Sequence, residues 1–137
     1  MKSITDYVEK EQVDQVLAAA HQCSRRDYLT LRVLRRIGVR VNELLIITPR
    51  DIEPNNSVVD VTKAKGWKQW RVHLDAETIK MLSEYVSAQQ LPDDQPISTL
   101  KQRQVRNIVK RYGSVIGKDL HPHTFRHSYA IHCVRNG

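Results

Sequence analysis

The sequence predicts a mainly α-helical domain carrying one small antiparallel sheet, an α+β fold, and three observations lead to it. Apolar residues recur at helical spacing both before residue 40 and after residue 75. The period shortens to two only between Val59 and Leu74. Neither a repeat, a low-complexity tract nor a long linker divides the 137 residues, 40% of them hydrophobic, so residues 1–137 are expected to pack as one domain.

The elements follow in order. Val13, Val16, Leu17 and Ala20 stand at i, i+3, i+4 and i+7, which marks one apolar stripe on a helix from about Lys10 to Gln22. Tyr28, Leu31, Leu34 and Ile37 continue with a second helix that stops at Gly38, and its other face shows Arg25, Arg32, Arg35 and Arg36. Val41, Leu44 and Leu45 begin a short third helix. Val59 and Val61, then Trp70, Val72 and Leu74, alternate as half-buried strands do, with residues 63–68 as the connecting turn. Ile46-Ile47 is expected to lead into a third strand. Asp75 has the chemistry of an N-cap for the next helix, whose stripe of Ile79, Leu82, Tyr85 and Val86 ends at Leu91-Pro92-Asp93-Asp94. Ser98 or Thr99 is expected to cap another helix, with Val105, Ile108, Val109 and Tyr112 inward and Lys101, Arg103, Arg106, Lys110 and Arg111 outward. Pro122 suits the first turn of a last helix, where its missing donor costs nothing, and Asn136-Gly137 reads as its stop.

The net charge of +7 is unevenly placed. Residues 1–98 hold 14 basic and 14 acidic side chains, whereas residues 99–137 hold eight basic ones against Asp119 alone. A one-sided basic excess suits a polyanion, because each neutralised phosphate releases condensed counterions. A solvated basic face explains the charge alone equally well. No stretch approaches the roughly 20 apolar residues of a membrane helix, and residues 1–6 lack the apolar run of a secretory signal, so a cytoplasmic, nucleoid-associated protein is expected. Cys23 and Cys133 have no disulfide or metal spacing and are expected as reduced, half-buried thiols. His121-x-His123 lacks a second pair or a neighbouring carboxylate, so no metal and no cofactor is expected.

Two short constellations carry chemistry. Arg40 and Glu43 are three apart, a spacing that on a helix sets the carboxylate beside the guanidinium and could fix its fork. A common surface ion pair explains these two residues as well. His123 and Arg126 repeat that spacing near the start of the last helix, where oriented backbone N–H groups already favour an anion. Lys65 sits at the hairpin turn, from which an ammonium could enter a cleft; solubility is the ordinary role of such a lysine, and of Lys63 and Lys68.

Taken together these pieces resemble the catalytic domain of the tyrosine recombinases, the phage-integrase family. Residues Gly38-Val39-Arg40-Val41-Asn42-Glu43-Leu44 look like its Gly-x-Arg-x-x-Glu-Leu box, residues 62–74 like its lysine hairpin, and His121-Pro122-His123-Thr124-Phe125-Arg126-His127-Ser128-Tyr129-Ala130 like its His-x-x-Arg-His box. The resemblance implies that Arg40 and Arg126 are the active-site arginines, Lys65 the catalytic lysine, His123 the accompanying histidine and Glu43 a supporting acid. It implies DNA breaking and rejoining in site-specific recombination or integration, through a 3′-phosphotyrosine, on double-stranded DNA bound by a tetramer. Lys101, Arg103, Arg106, Lys110 and Arg111 are the candidate phosphate-binding side chains.

The physics agrees with those roles. A phosphodiester attacked in line gains charge on its two non-bridging oxygens, and planar guanidiniums supply paired donors to them. A lysine brought among arginines has a lowered pKa and suits protonation of the 5′-oxygen leaving group. The family's nucleophilic tyrosine, and the histidine or tryptophan before it, have no match within these residues. Tyr129 matches an aromatic packing position and Ser128 a helix-packing one. The expectation is a partial catalytic domain lacking the nucleophile and the N-terminal DNA clamp, inactive on its own. A non-catalytic or decayed DNA-binding module of the same ancestry is the alternative; a type IB topoisomerase shares the chemistry but matches the boxes less closely.

Overall fold

A computed structural model describes residues 8–37, 40–62, 69–122 and 125. Among the described residues α-helices and a three-stranded antiparallel sheet run in the order α1 (Lys10–Cys23), α2 (Arg25–Ile37), α3 (Val41–Leu45), β1 (Ile52–Glu53), β2 (Val58–Thr62), β3 (Gln69–His73), α4 (Ala76–Gln89) and α5 (Gln102–Gly113). The expected α+β class holds.

Three of the helix starts share one device. Glu9, Arg40 and Lys101 occupy the N-cap positions of α1, α3 and α5, and in each case the glutamine or glutamate three residues on accepts the N-cap backbone N–H: Gln12 at 3.0 Å, Glu43 at 3.0 Å and Gln104 at 2.7 Å. That is the N3 half of a capping box, which satisfies a donor the helix itself leaves orphaned. The expected cap of α5 is therefore corrected: Ser98 and Thr99 lie before the helix, and the Ser98 hydroxyl instead accepts the Leu100 N–H at 3.2 Å. Asp75 caps α4 as expected, its carboxylate accepting from the Thr78 N–H at 3.1 Å and the Thr78 hydroxyl at 2.7 Å.

The sheet has the order β1-β2-β3, with Val59 opposite Val72, Asp60 opposite Arg71 and Val61 opposite Trp70. The third strand is not built from Ile46-Ile47. It is the two-residue β1, where Ile52 pairs with Val59, while Ile47 is buried and its carbonyl accepts the Ile97 N–H at 2.9 Å. Arg71 bridges the sheet surface, 3.0 Å from Glu53 and 3.3 Å from Asp60.

Two apolar clusters share α2 between them. Leu31 and Leu34 face the first, with Val13 and Val16 of α1, Val105 and Val109 of α5, Leu120 and Phe125. Leu29 and Val33 face the second, with Leu44, Ile47, Val59, Val61, Leu74, Ile79 and Leu82. Burial of this kind contributes about 25 cal/mol per Å² of apolar surface, which favours one helix wetted on little of its circumference. Of the four arginines on the other face of α2, Arg35 is accordingly buried, 8% exposed, and Arg32 is half-buried, 12% exposed at its side chain. Cys23 is exposed rather than half-buried, and Cys133 lies outside the described residues.

Candidate functional site

Arg40 is the N-cap of α3, with an extended backbone at φ −74° and ψ 155°, and its side chain is exposed. Val41 and Leu45 pack against the first cluster and Leu44 enters the second, so this single turn is wedged between the cores. Glu43 does not sit beside the Arg40 guanidinium as the spacing suggested. It is 8% exposed and its Oε1 accepts the Arg40 backbone N–H. The acid therefore fixes the main chain from which the arginine projects and does not occupy its guanidinium, which has no ion-pair partner among the described residues.

α3 packs against both α2 and α5. Lys101, Arg103, Arg106, Lys110 and Arg111 are all exposed, as expected, while Val105, Ile108, Val109 and Tyr112 point into the core. Arg103, Arg106 and Lys110 follow at i, i+3 and i+7 and so share one face. Two of the five have acidic neighbours. Lys110 lies 3.8 Å from Asp119, which is also 3.9 Å from His121, and Arg111 lies 3.8 Å from Asp27. Asp27 is 2% exposed and accepts the Tyr112 hydroxyl at 2.8 Å and Arg26 at 3.1 Å, so it ties α5 to the start of α2. Burial, and then that bond to Asp27, push the Tyr112 hydroxyl pKa up.

The remaining expected site residues, Lys65, His123 and Arg126, lie outside the described residues, as does the rest of the 63–68 connection. Their surroundings are described on both sides. β2 and β3 are in register up to Thr62 opposite Gln69. Pro122 is helical, the Phe125 N–H donates to the His121 carbonyl at 3.0 Å, and Phe125 is fully buried. Arg36, in the last turn of α2 and 47% exposed, is 4.0 Å from Asp75.

Among the described residues no group of three or more histidine, cysteine or acidic side chains could hold a metal, and no helix is long and apolar enough to cross a membrane.

Comparison with known proteins places this arrangement. The model of the phage integrase family matches residues 6–137. Tyrosine recombinase XerA of Saccharolobus solfataricus is 31% identical over 131 residues, which cover 95% of this chain and 43% of that protein. A tyrosine recombinase of Pseudothermotoga lettingae is 30% identical over 142 residues, covering 99% of this chain and 49% of its own length. The chain thus spans about half the length of the curated relatives it matches. The crystal structure of XerA recombinase superposes with a TM-score of 0.84 at 26% identity, over 96% of this chain and 51% of that one. XerH site-specific recombinase bound to its difH substrate superposes at 0.80 with 21% identity, over 98% of this chain and 44% of that one, a likeness of fold. With its family model matched over nearly its whole length and its fold shared, the chain belongs to the phage integrase family.

Proposed function

We propose that this chain supplies the phosphate-gripping part of a site-specific DNA recombinase, a protein that cleaves and rejoins DNA strands through a 3′-phosphotyrosine. The observation that carries the proposal is Arg40. Its backbone is clamped by Glu43 while its guanidinium is exposed and has no acidic partner among the described residues. A guanidinium held but not neutralised suits an external anion, and donors organised before the reaction stabilise charge as it develops on the phosphate.

On this reading Arg40 and Arg126 each address a non-bridging oxygen, Lys65 protonates the 5′-oxygen, and His123 donates to the phosphate or orients a proton. The nucleophile is a tyrosine outside these 137 residues. Lys101, Arg103 and Arg106 on α5 contact neighbouring phosphates of double-stranded DNA, with Lys110 and Arg111 contributing where Asp119 and Asp27 leave them free. Four copies on two duplexes form the working assembly, in the cytoplasm. What supports the set is family membership, together with the packing of α3 against α5.

Two measurements test it. Titration of the chain against duplex DNA at increasing salt is expected to show affinity falling, with the slope of log affinity against log salt reduced by about one when Arg103 is changed to alanine. Affinity indifferent to salt overturns the DNA-binding role. In a longer protein that joins this chain to the tyrosine, covalent attachment to DNA is expected to fall by about 10²–10³-fold in Arg40→Ala, the magnitude of losing one such donor. Attachment unaffected in both Arg40→Ala and Arg126→Ala overturns the catalytic role and leaves a DNA-binding module.

A further inference from the structure

An exposed cation answered one for one by an acid as exposed as itself offers little to a further anion, because an approaching group meets both charges. Arg25 of α2, 3.5 Å from Glu84, and Lys110 of α5, 3.8 Å from Asp119, are of this kind. Asp27 differs in place and in number. It is buried in the first turn of α2, where the Tyr112 hydroxyl of α5 donates to its Oδ2 at 2.8 Å. Its Oδ1 accepts from Nε and Nη2 of Arg26 at 3.2 and 3.1 Å. Nη1 of Arg111 stands 3.8 Å from Oδ2, near enough to be drawn by the charge and too far for a hydrogen bond to it.

One carboxylate thus faces two guanidiniums, and the three groups together carry a net positive charge. The signs are also sorted by depth. The Asp27 side chain is 2% exposed, whereas those of Arg26 and Arg111 are 50% and 65% exposed, so solvent meets the cations with the anion behind them. Arg26 spends Nε and Nη2 on Asp27, and its Nη1 has no partner among the described residues. Because the two guanidiniums stand against adjoining oxygens of one carboxylate, their charges add at one place. Planar forks of this kind match the oxygens of a phosphate group.

We propose that Arg26 and Arg111, backed by Asp27, form a phosphate site at the junction of α2 and α5 that takes a backbone phosphate of bound duplex DNA. The assignment rests on the DNA-binding role given to α5 above and extends it to a second helix. Arg103 and Arg106 are exposed and have no acidic partner among the described residues, so a duplex drawn to them brings further phosphates to this end of α5. Arg111 follows Arg103 by eight residues, about 12 Å along the helix axis, which directs the pair toward a phosphate further along the duplex.

The test follows the arginine side-chain Nε–H signals of the unsubstituted chain by NMR as a duplex oligonucleotide is added. Arg26 and Arg111 are expected to shift together; Arg26 unmoved at saturating duplex overturns the proposal. Inorganic phosphate separates the two sources of the group: if it shifts Arg26 and Arg111 and the duplex does not, the site belongs to a free phosphate and the DNA assignment falls. Salt titrations then weigh the contact. In Arg26→Gln/Arg111→Gln the slope of log affinity against log salt is expected to fall by about one, the loss of a single phosphate. A slope unmoved in that double variant while Arg103→Ala lowers it overturns this site and leaves the role of α5 standing; affinity indifferent to salt in every protein overturns both. If the double variant does not fold, Arg26→Lys decides, since it keeps a charge beside Asp27 without the fork: DNA binding several-fold weaker is expected, and binding unchanged overturns the role of Arg26.

Discussion

Two arginines eight residues apart meet opposite fates, and the contrast separates what folds this domain from what it offers to a ligand. Arg32 is enclosed at the junction of α2 and α4. It donates to the Tyr28 hydroxyl and the Thr78 hydroxyl at 2.6 Å each, and to Asp75 and Glu77 at 3.2 and 3.3 Å. Arg40, at the start of α3, makes its fixed contact through the backbone alone and leaves its guanidinium outward. A cation surrounded by acceptors is a structural rivet; one whose main chain is pinned and whose guanidinium has no acidic partner among the described residues is, on the function proposed above, left for an anion.

The sharpest way to break that comparison is to delete both side chains in turn. Arg40→Ala is expected to leave the unfolding free energy in urea unchanged to within about 0.5 kcal/mol, as for surface positions, while removing the phosphate-dependent function. Arg32→Ala is expected to cost about 2–3 kcal/mol of stability, because it strands the partly buried Asp75 and Thr78 acceptors together; the exposed Glu77 contact adds little. Measured side by side, equal losses of stability in the two variants would erase the distinction drawn here.

Tyr112→Phe sharpens it further by probing a second rivet. The hydroxyl reaches the buried Asp27 carboxylate from 85 positions away, and removing it leaves Arg26 and the more distant Arg111 as that carboxylate's named side-chain partners. The expected cost is about 1–2 kcal/mol with the salt slope of DNA binding retained, read by denaturation and by titration on the same preparation.

Much of this was legible in the chain, and the failures share a cause. The stripes of α1 and α5 and the hairpin of β2 and β3 are short-range periodicities, which local sequence records; in α4 Ile79 and Leu82 are buried but Tyr85 and Val86 only partly so. The Asp75 cap is equally local. The sequence set Arg32 and Arg35 on the face of α2 away from its apolar stripe and could go no further, because the partners that enclose Arg32, Asp75 and Thr78, lie more than 40 residues on and are invisible to any window along α2. β1 has two residues and so no period to detect, which let the more apolar Ile46-Ile47 stand in for it. Arg40 and Glu43 were rightly singled out as a pair, but spacing could not say that the carboxylate would choose the backbone N–H over the guanidinium. The motif around Phe125 was readable; where His123 and Arg126 stand lies outside the described residues.

The smallest expected effect is also the most diagnostic for the Arg32 junction, because it titrates one partner while leaving the other charged. Burial by itself disfavours the ionised Asp75 carboxylate, but the Thr78 hydroxyl and N–H, then Arg32 and Arg36, outweigh it and hold the pKa below its ordinary 3.8. Burial likewise opposes the charge on Arg32, while bonds to Tyr28 and Asp75 more than compensate and raise its pKa, so Arg32 stays charged throughout the acid range. A depressed carboxylate pKa means the folded state favours the ion. Its contribution is complete above about pH 4, where the unfolded chain is ionised too, and is lost as pH falls through the lower folded value. Asp75→Asn keeps the cap oxygen for Thr78 and removes the titration. Denaturation at pH 6 and again near pH 3 is therefore expected to show the unsubstituted chain losing about 0.5–1 kcal/mol more than Asp75→Asn, a modest figure because Asp75 is 32% exposed and water screens the pair. Parallel losses in the two proteins would mean that the junction is held by Thr78 and Tyr28 alone, and that the charge on Arg32 is as idle in folding as the charge on Arg40.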